Sequence, residues 1–147
     1  MVERALVLAI AAVGIAAAVV VARWWLGRGL AGLRTTSAEG LWTALGTAPD
    51  GRPSLVVFST PSCTVCRTAQ YPAVETVEAT FGSALRVLRV DLSRQPAVAA
   101  AFRVLTAPST ALLAGDGRVR SFNHGFAPAE QLRAQLNALG ASPVSPR

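Results

Sequence analysis

Residues 54–72 read SLVVFSTPSCTVCRTAQYP and hold both cysteines of the chain, Cys63 and Cys66. SLVVFS is a continuous apolar run between turn residues, as expected of a strand covered on both faces. Beyond Cys66, the residues Val74, Val77 and Phe81 recur at helical spacing, which predicts a helix with one apolar stripe ending at Gly82. The cysteines therefore fall where a buried strand passes into a helix. Cys63 stands at the helix N-terminus, where unpaired N–H groups and the positive end of the macrodipole stabilise a thiolate. Cys66 lies one turn further in, placed to attack a mixed disulfide formed on Cys63. Their positions make Cys63 the candidate nucleophile and Cys66 the resolving thiol. Arg67 adds a positive charge beside them.

Other uses of a CxxC pair fit less well. A zinc site needs about four ligands, and besides the two cysteines the chain has one histidine, His124. A purely structural disulfide closing so small a ring would stabilise little, because the entropic gain grows with loop length. A copper-carrying module commonly sets its cysteines in an exposed loop after a methionine, and Met1 is the only methionine. A peroxidase of the peroxiredoxin type has Thr three residues before its reactive Cys and Pro four before that Thr. Thr60 meets the first condition, but Val56 stands where the proline would be.

The remaining segments read outward from this centre. The stretch Thr36-Ser37-Ala38-Glu39 matches a capping box and starts a short helix through Leu45. GTAPDGRPS, 46–54, is turn chemistry with its tip at Asp50-Gly51. Pro72 sits inside the helix that follows the cysteines and is expected to kink it. ALRVLRVD, 84–91, reads as a second strand and QPAVAAAFRV as a short helix. STALLA and RVRSFN flank GDG at 115–117, which predicts a β-hairpin. In APAEQLRAQLNALG, Pro128 opens a last helix with Leu132, Leu136 and Leu139 on one face, and Gly140 stops it. This order predicts a small α/β sandwich with parallel strands and an antiparallel hairpin at the edge.

The hydrophobic fraction of 52% owes much to residues 5–22, ALVLAIAAVGIAAAVVVA, which carry no charge. Such a segment spans ~27 Å as a helix, close to the hydrocarbon thickness of a bilayer. Trp24 and Trp25 follow, suited to the interface, with Arg23 and Arg28 around them. A cleaved signal peptide has a shorter apolar core and a small-residue cleavage site, and the only passable site here is GLA ending at Ala31. The expected organisation is an N-terminal membrane anchor at 1–26, a linker at 27–35, a folded domain at 36–139 and a flexible tail at 140–147. Arg23, Arg28 and Arg34 on the C-terminal flank outnumber Arg4 on the other, so the positive-inside bias favours a cytoplasmic domain by a small margin. Half of the net charge of +6 belongs to residues 1–34, where four arginines stand against Glu3. The other arginines are scattered singly, which argues against a nucleic-acid footprint.

Strand, CxxC, helix with a proline, strand, helix, then LTAPSTALL and a hairpin resembles the thioredoxin fold over about residues 36–139: a central mixed sheet flanked by helices. In that family a cis-proline precedes the fourth strand and faces the CxxC. Pro108, in TAPST, falls in the corresponding interval, and the resemblance implies that the backbone of Ala107 pairs with an extended substrate segment. Thr60 and Pro61 would rigidify the approach to the helix. The sequence departs from thioredoxin in several places. Ser62 replaces the tryptophan that often precedes the first cysteine, and the dipeptide between the cysteines is Thr-Val. Val57 falls where thioredoxin buries an acid, and no lysine exists to be its partner. The context FSTPSCTVCR is similar to membrane-tethered relatives, including the methylamine-utilisation accessory type.

The resemblance implies a membrane-tethered thiol–disulfide oxidoreductase with a redox-active disulfide between Cys63 and Cys66. It implies no prosthetic group. Its partners would be protein substrates with thiols or disulfides, membrane lipid around the N-terminal helix, and a protein electron donor, either a thioredoxin reductase or a membrane electron carrier. The alternative is a non-catalytic thioredoxin-fold module at the membrane that binds a partner or carries a metal. His124, in the loop after the hairpin, is read mainly as a solvated turn residue. Tyr71 and Phe58 are read as core or helix-surface residues.

Overall fold

The computed structural model describes residues 13–21 and 37–144. Residues 13–21 form helix α1, all of it exposed. The rest of the expected anchor, the linker at 27–35 and Thr36 lie outside the described residues. Among the described residues, no helix is long and apolar enough to cross a membrane.

The folded unit contains α2 (Ala38–Leu45), β1 (Ser54–Ser59), a helical stretch ending in α3 (Tyr71–Phe81), β2 (Arg86–Asp91), α4 (Pro96–Phe102), β3 (Ser109–Leu113), β4 (Val119–His124) and α5 (Ala129–Ala138). The sheet order is β2-β1-β3-β4. β1 runs parallel to β2 and antiparallel to β3, and β3 and β4 form the hairpin. Every residue of β1 is buried, which explains its unbroken apolar run: it is a central strand with helices on both faces.

Alternate residues of β1 serve two cores. Leu55 and Val57 join Val74, Val77 and Phe81 of α3, Leu112 of β3, and Leu132 and Leu136 of α5. Phe58 faces the other way, its ring 5.2 Å from Phe102 of α4 and 6.1 Å from Phe122 of β4. α2 packs against α4 on that side. Trp42 of α2 is buried and donates its indole N–H to the Gly117 carbonyl at 2.8 Å. The Arg86 guanidinium sits 5.7 Å from that indole and donates to Ala48 O and Thr47 Oγ1, tying the 46–50 turn to β2. The tip of the hairpin lies so close to the 46–54 turn that a Cβ on Gly115 would stand 2.2 Å from Gly51 O.

Three details differ from the sequence reading. The cap of α2 is Ser37, whose hydroxyl accepts the Gly40 N–H at 3.3 Å, so the box runs from Ser37 to Gly40. The disturbance expected at Pro72 takes the form of a π-helical turn just before it, Cys66–Gln70, in which the Tyr71 N–H donates to the Cys66 carbonyl five residues back. Pro72 has no N–H to give and its ring crowds the carbonyl four residues earlier, so a wider turn accommodates it. Residues 141–144, read from sequence as part of a frayed tail, lie against the domain. Ala141 is buried, and the Val144 N–H donates to Thr80 O at 3.0 Å, closing over the end of α3.

Three carboxyls are held below their ordinary 3.8: Asp50 by Arg52, Asp91 by its hydrogen bonds from Ser93, and Asp116 by the Arg118 N–H and Arg120. A carboxyl whose folded value is depressed stabilises the fold above its unfolded value and loses that contribution as pH falls through the folded one. The thermal midpoint is therefore expected to stay level down to about pH 4 and to decline below it. All three carboxyls are near the surface, so the decline should be shallow, and 1 M salt should shrink it further. Midpoints measured from pH 7 to pH 2 check this.

Candidate functional site

The C-terminal end of β1, the start of β3 and the end of β4 meet at one end of the sheet: Phe58 pairs with Ser109, and Ser109 pairs with His124. The chain leaves β1 here through a turn with Pro61 in its second position, closed by the Cys63 N–H donating to Thr60 O at 3.1 Å. Proline's fixed φ suits that position. Arg67 reaches back from the helix and donates to Pro61 O at 2.6 Å, so its charge is held over the turn that delivers Cys63.

Cys63 and Cys66 form a disulfide with Cα atoms 5.3 Å apart. The two sulfurs have unequal surroundings. Cys63 is partly exposed at the start of the helix, whereas Cys66 is 1% exposed. The Cys66 N–H donates to Cys63 Sγ at 3.1 Å, so an amide of the first helical turn already points at the outer sulfur.

The Ala107–Pro108 peptide bond is cis. The β3 ladder stops at Ser109, whose hydroxyl donates to Thr106 O at 2.8 Å, leaving Ala107 outside the sheet's pairing. His124 is the last residue of β4 rather than a loop residue; it is exposed, with its ring 4.6 Å from Phe122. The structure thus brings Pro61, Cys63, Cys66, Arg67, Ala107, Pro108 and His124 to one end of the sheet.

Several residues at this end were not singled out from sequence, and Tyr71, read as a core or helix-surface residue, has a polar role as well. Its hydroxyl donates to Ser59 Oγ at 2.8 Å, at the end of β1. Val57, in the place of thioredoxin's buried acid, pairs in register with Arg89 of β2, whose guanidinium turns to Glu78 of α3 at 2.7 Å. On the same side of the sheet, Asn123 donates to Thr110 Oγ1 and Gln135 Oε1 and accepts from Gln131 and Gln135. Gln70, fully buried in the π turn, makes two hydrogen bonds to the backbone of Ala127. Among the described residues, no cluster of three or more His, Cys, Asp or Glu is arranged to hold a metal ion.

A four-stranded mixed sheet, a CxxC disulfide on a helix N-terminus and a cis-proline leading into the third strand define a thioredoxin-fold protein with a disulfide at one end of its sheet. The family model described as thioredoxin matches residues 47–138, and the chain belongs to that family. Solved structures agree on the fold. Chloroplastic thioredoxin z superimposes with a TM-score of 0.59 at 20% identity, over 71% of this chain and 90% of its own. A mutant thioredoxin from Halobacterium salinarum gives 0.56 at 23%, over 67% and 81%. MTB dsbF, solved in mixed oxidized and reduced forms, gives 0.52 at 21%, over 60% and 81%. A search of curated proteins returns no match.

Proposed function

We propose that the chain is a thiol–disulfide oxidoreductase that exchanges disulfides with protein targets through Cys63 and Cys66. The observation that carries the proposal is the unequal burial of the pair. One sulfur is open to a target at the helix N-terminus and meets an amide there; the other is sealed one turn below, within reach of the first. In the reducing direction the Cys63 thiolate attacks a target disulfide, forming a mixed disulfide and releasing one target thiolate, which takes up a proton. Cys66 then gives up its proton and attacks Cys63 Sγ, closing the internal disulfide and releasing the second target thiolate. Two electrons have passed to the target. The oxidising direction is the reverse.

Ala107 and Pro108 would shape the contact, the Ala107 backbone pairing with an extended stretch of the target. Its position outside the ladder supports this. Pro61 and Arg67 would hold the turn that presents Cys63. Val57 offers no proton acceptor, so the Cys66 proton would leave through water or a neighbouring hydroxyl. Electrons would come from another protein, a thioredoxin reductase or a membrane electron carrier.

The apolar residues 5–22 support attachment to a membrane, with residues 1–26 as anchor, 27–35 as linker and the catalytic domain from 36. The arginine distribution favours the cytoplasmic side.

Alkylation tests the exchange reading cheaply. After reduction, Cys63 is expected to react with iodoacetamide at least about tenfold faster than Cys66, as an exposed, amide-stabilised thiolate should. Peptide mass spectrometry reads the two sites separately. Two equally slow thiols would instead describe a passive binding module.

A further inference from the structure

Gln70 stands four residues beyond Cys66, and both side chains are buried on the same face of the helix. A buried primary amide must find partners for its donors and acceptor or lose stability. Gln70 finds them on one residue: Nε2–H donates to the Ala127 carbonyl at 3.1 Å, and Oε1 accepts the Ala127 N–H at 2.9 Å. A side chain thus makes the reciprocal pair of bonds that a neighbouring strand would make. Ala127 itself is fully buried, while Phe126 before it is 46% exposed.

Phe126 lies two residues past His124, which pairs with the Ser109 that follows Pro108. The large apolar side chains exposed in the described part of the domain are Val65, Leu105, Phe126 and Val144. Val65 lies between the cysteines, and Leu105, at 92% exposure, lies three residues before Pro108. Three of the four therefore belong to segments at the end of the sheet that carries the disulfide. The 125–127 segment is tied to the redox helix by the buried Gln70 side chain.

We propose that Gln70 is a positioning residue for substrate selection: it clamps the 125–127 loop to the redox helix and so fixes Phe126 as an apolar contact for the polypeptide flanking a target disulfide. The proposal rests on the exchange reading above. Gln70 directs both polar atoms of its side chain to Ala127 and hydrogen-bonds to neither sulfur, so its loss is expected to act on binding rather than on the chemical step. A small disulfide, with no flanking chain, does not use the contact.

The test is a KM-against-kcat comparison on the full chain with dithiothreitol as reductant and insulin as the protein disulfide. The reaction of the reduced chain with 5,5′-dithiobis(2-nitrobenzoate) is measured alongside. Gln70→Met keeps the side-chain length and leaves both Ala127 groups unpaired. It is expected to raise KM for insulin about tenfold, the scale of losing one aromatic anchor. Its kcat, its rate with the small disulfide and its dithiol–disulfide midpoint should stay within about twofold of wild type. Phe126→Ala is expected to raise KM by the same factor, and the double variant by no more, since both remove one contact. Gln70→Glu keeps the acceptor for the Ala127 N–H and should fall between; if Gln70→Met does not fold, this variant decides.

An unchanged KM, a parallel loss with the small disulfide, or independent effects of Gln70 and Phe126 would overturn the inference. A wild-type chain inert toward both substrates would overturn the exchange reading, and the inference with it.

Discussion

Cys66→Ser is expected to accumulate covalent mixed disulfides with target proteins through Cys63, while Cys63→Ser accumulates few. Cys63 is the sulfur that a target can reach, and Cys66 is sealed beneath it. With Cys66 replaced, the attack still breaks the target disulfide and joins one target sulfur to Cys63, but no thiol is left to break the new bond. With Cys63 replaced, the buried thiol has no path to a target. Turnover of a protein disulfide should fall at least about a thousandfold in Cys63→Ser, the scale of losing a covalent nucleophile. Non-reducing gels followed by peptide mapping decide the matter. Equal trapping by the two variants would contradict the roles assigned to them.

Phe102→Ala is expected to be the most damaging of the core truncations on the α4 side. Phe102 is fully buried, packs 5.2 Å from Phe58, and ends α4 where the chain turns toward Ala107 and Pro108. Truncating a buried phenylalanine costs ~3–5 kcal/mol in lost burial and an unfilled cavity. Total stability for a domain of this kind is ~5–15 kcal/mol, so the variant should be close to unfolding at 37 °C. Urea unfolding followed by tryptophan fluorescence, to which buried Trp42 contributes, measures the change. A loss below ~1 kcal/mol would mean that the aromatic packing between β1 and α4 is not what holds that side together.

Burial patterns explain why much of the fold was legible in sequence. SLVVFS reads as a central strand because helices cover both its faces, and the stripe of Val74, Val77 and Phe81 reads as one helix face because only one side meets the core. The hairpin is announced by GDG between two strand-forming runs. The two cysteines show themselves because spacing and a strand-to-helix junction are local features. What escaped was the part decided by partners far along the chain. Gln70 looks like any helix glutamine until Ala127, 57 residues later, is brought beside it. Arg89 stays an exposed charge, and its pairing with Glu78 shows only once the fold lays α3 over β2. Asn123 acquires its role only when Thr110, Gln131 and Gln135 assemble around it.

The π turn is a related case. Pro72 signals a disturbance in the helix but not its form, because the same missing N–H is compatible with a kink or with a widened turn. Packing chose the widened turn, with Cys66 and Gln70 both buried.

The measurement that bears most directly on the central claim is the equilibrium of the full chain against glutathione and then dithiothreitol, with the Cys63–Cys66 state read by mass. The account predicts a single reversible two-electron transition between dithiol and disulfide. A midpoint near or below ~−250 mV would assign a reductant, and one near ~−150 mV an oxidase or isomerase. A pair that stays in one state across the whole range, with no reversible couple, would contradict the account and leave a binding module in its place.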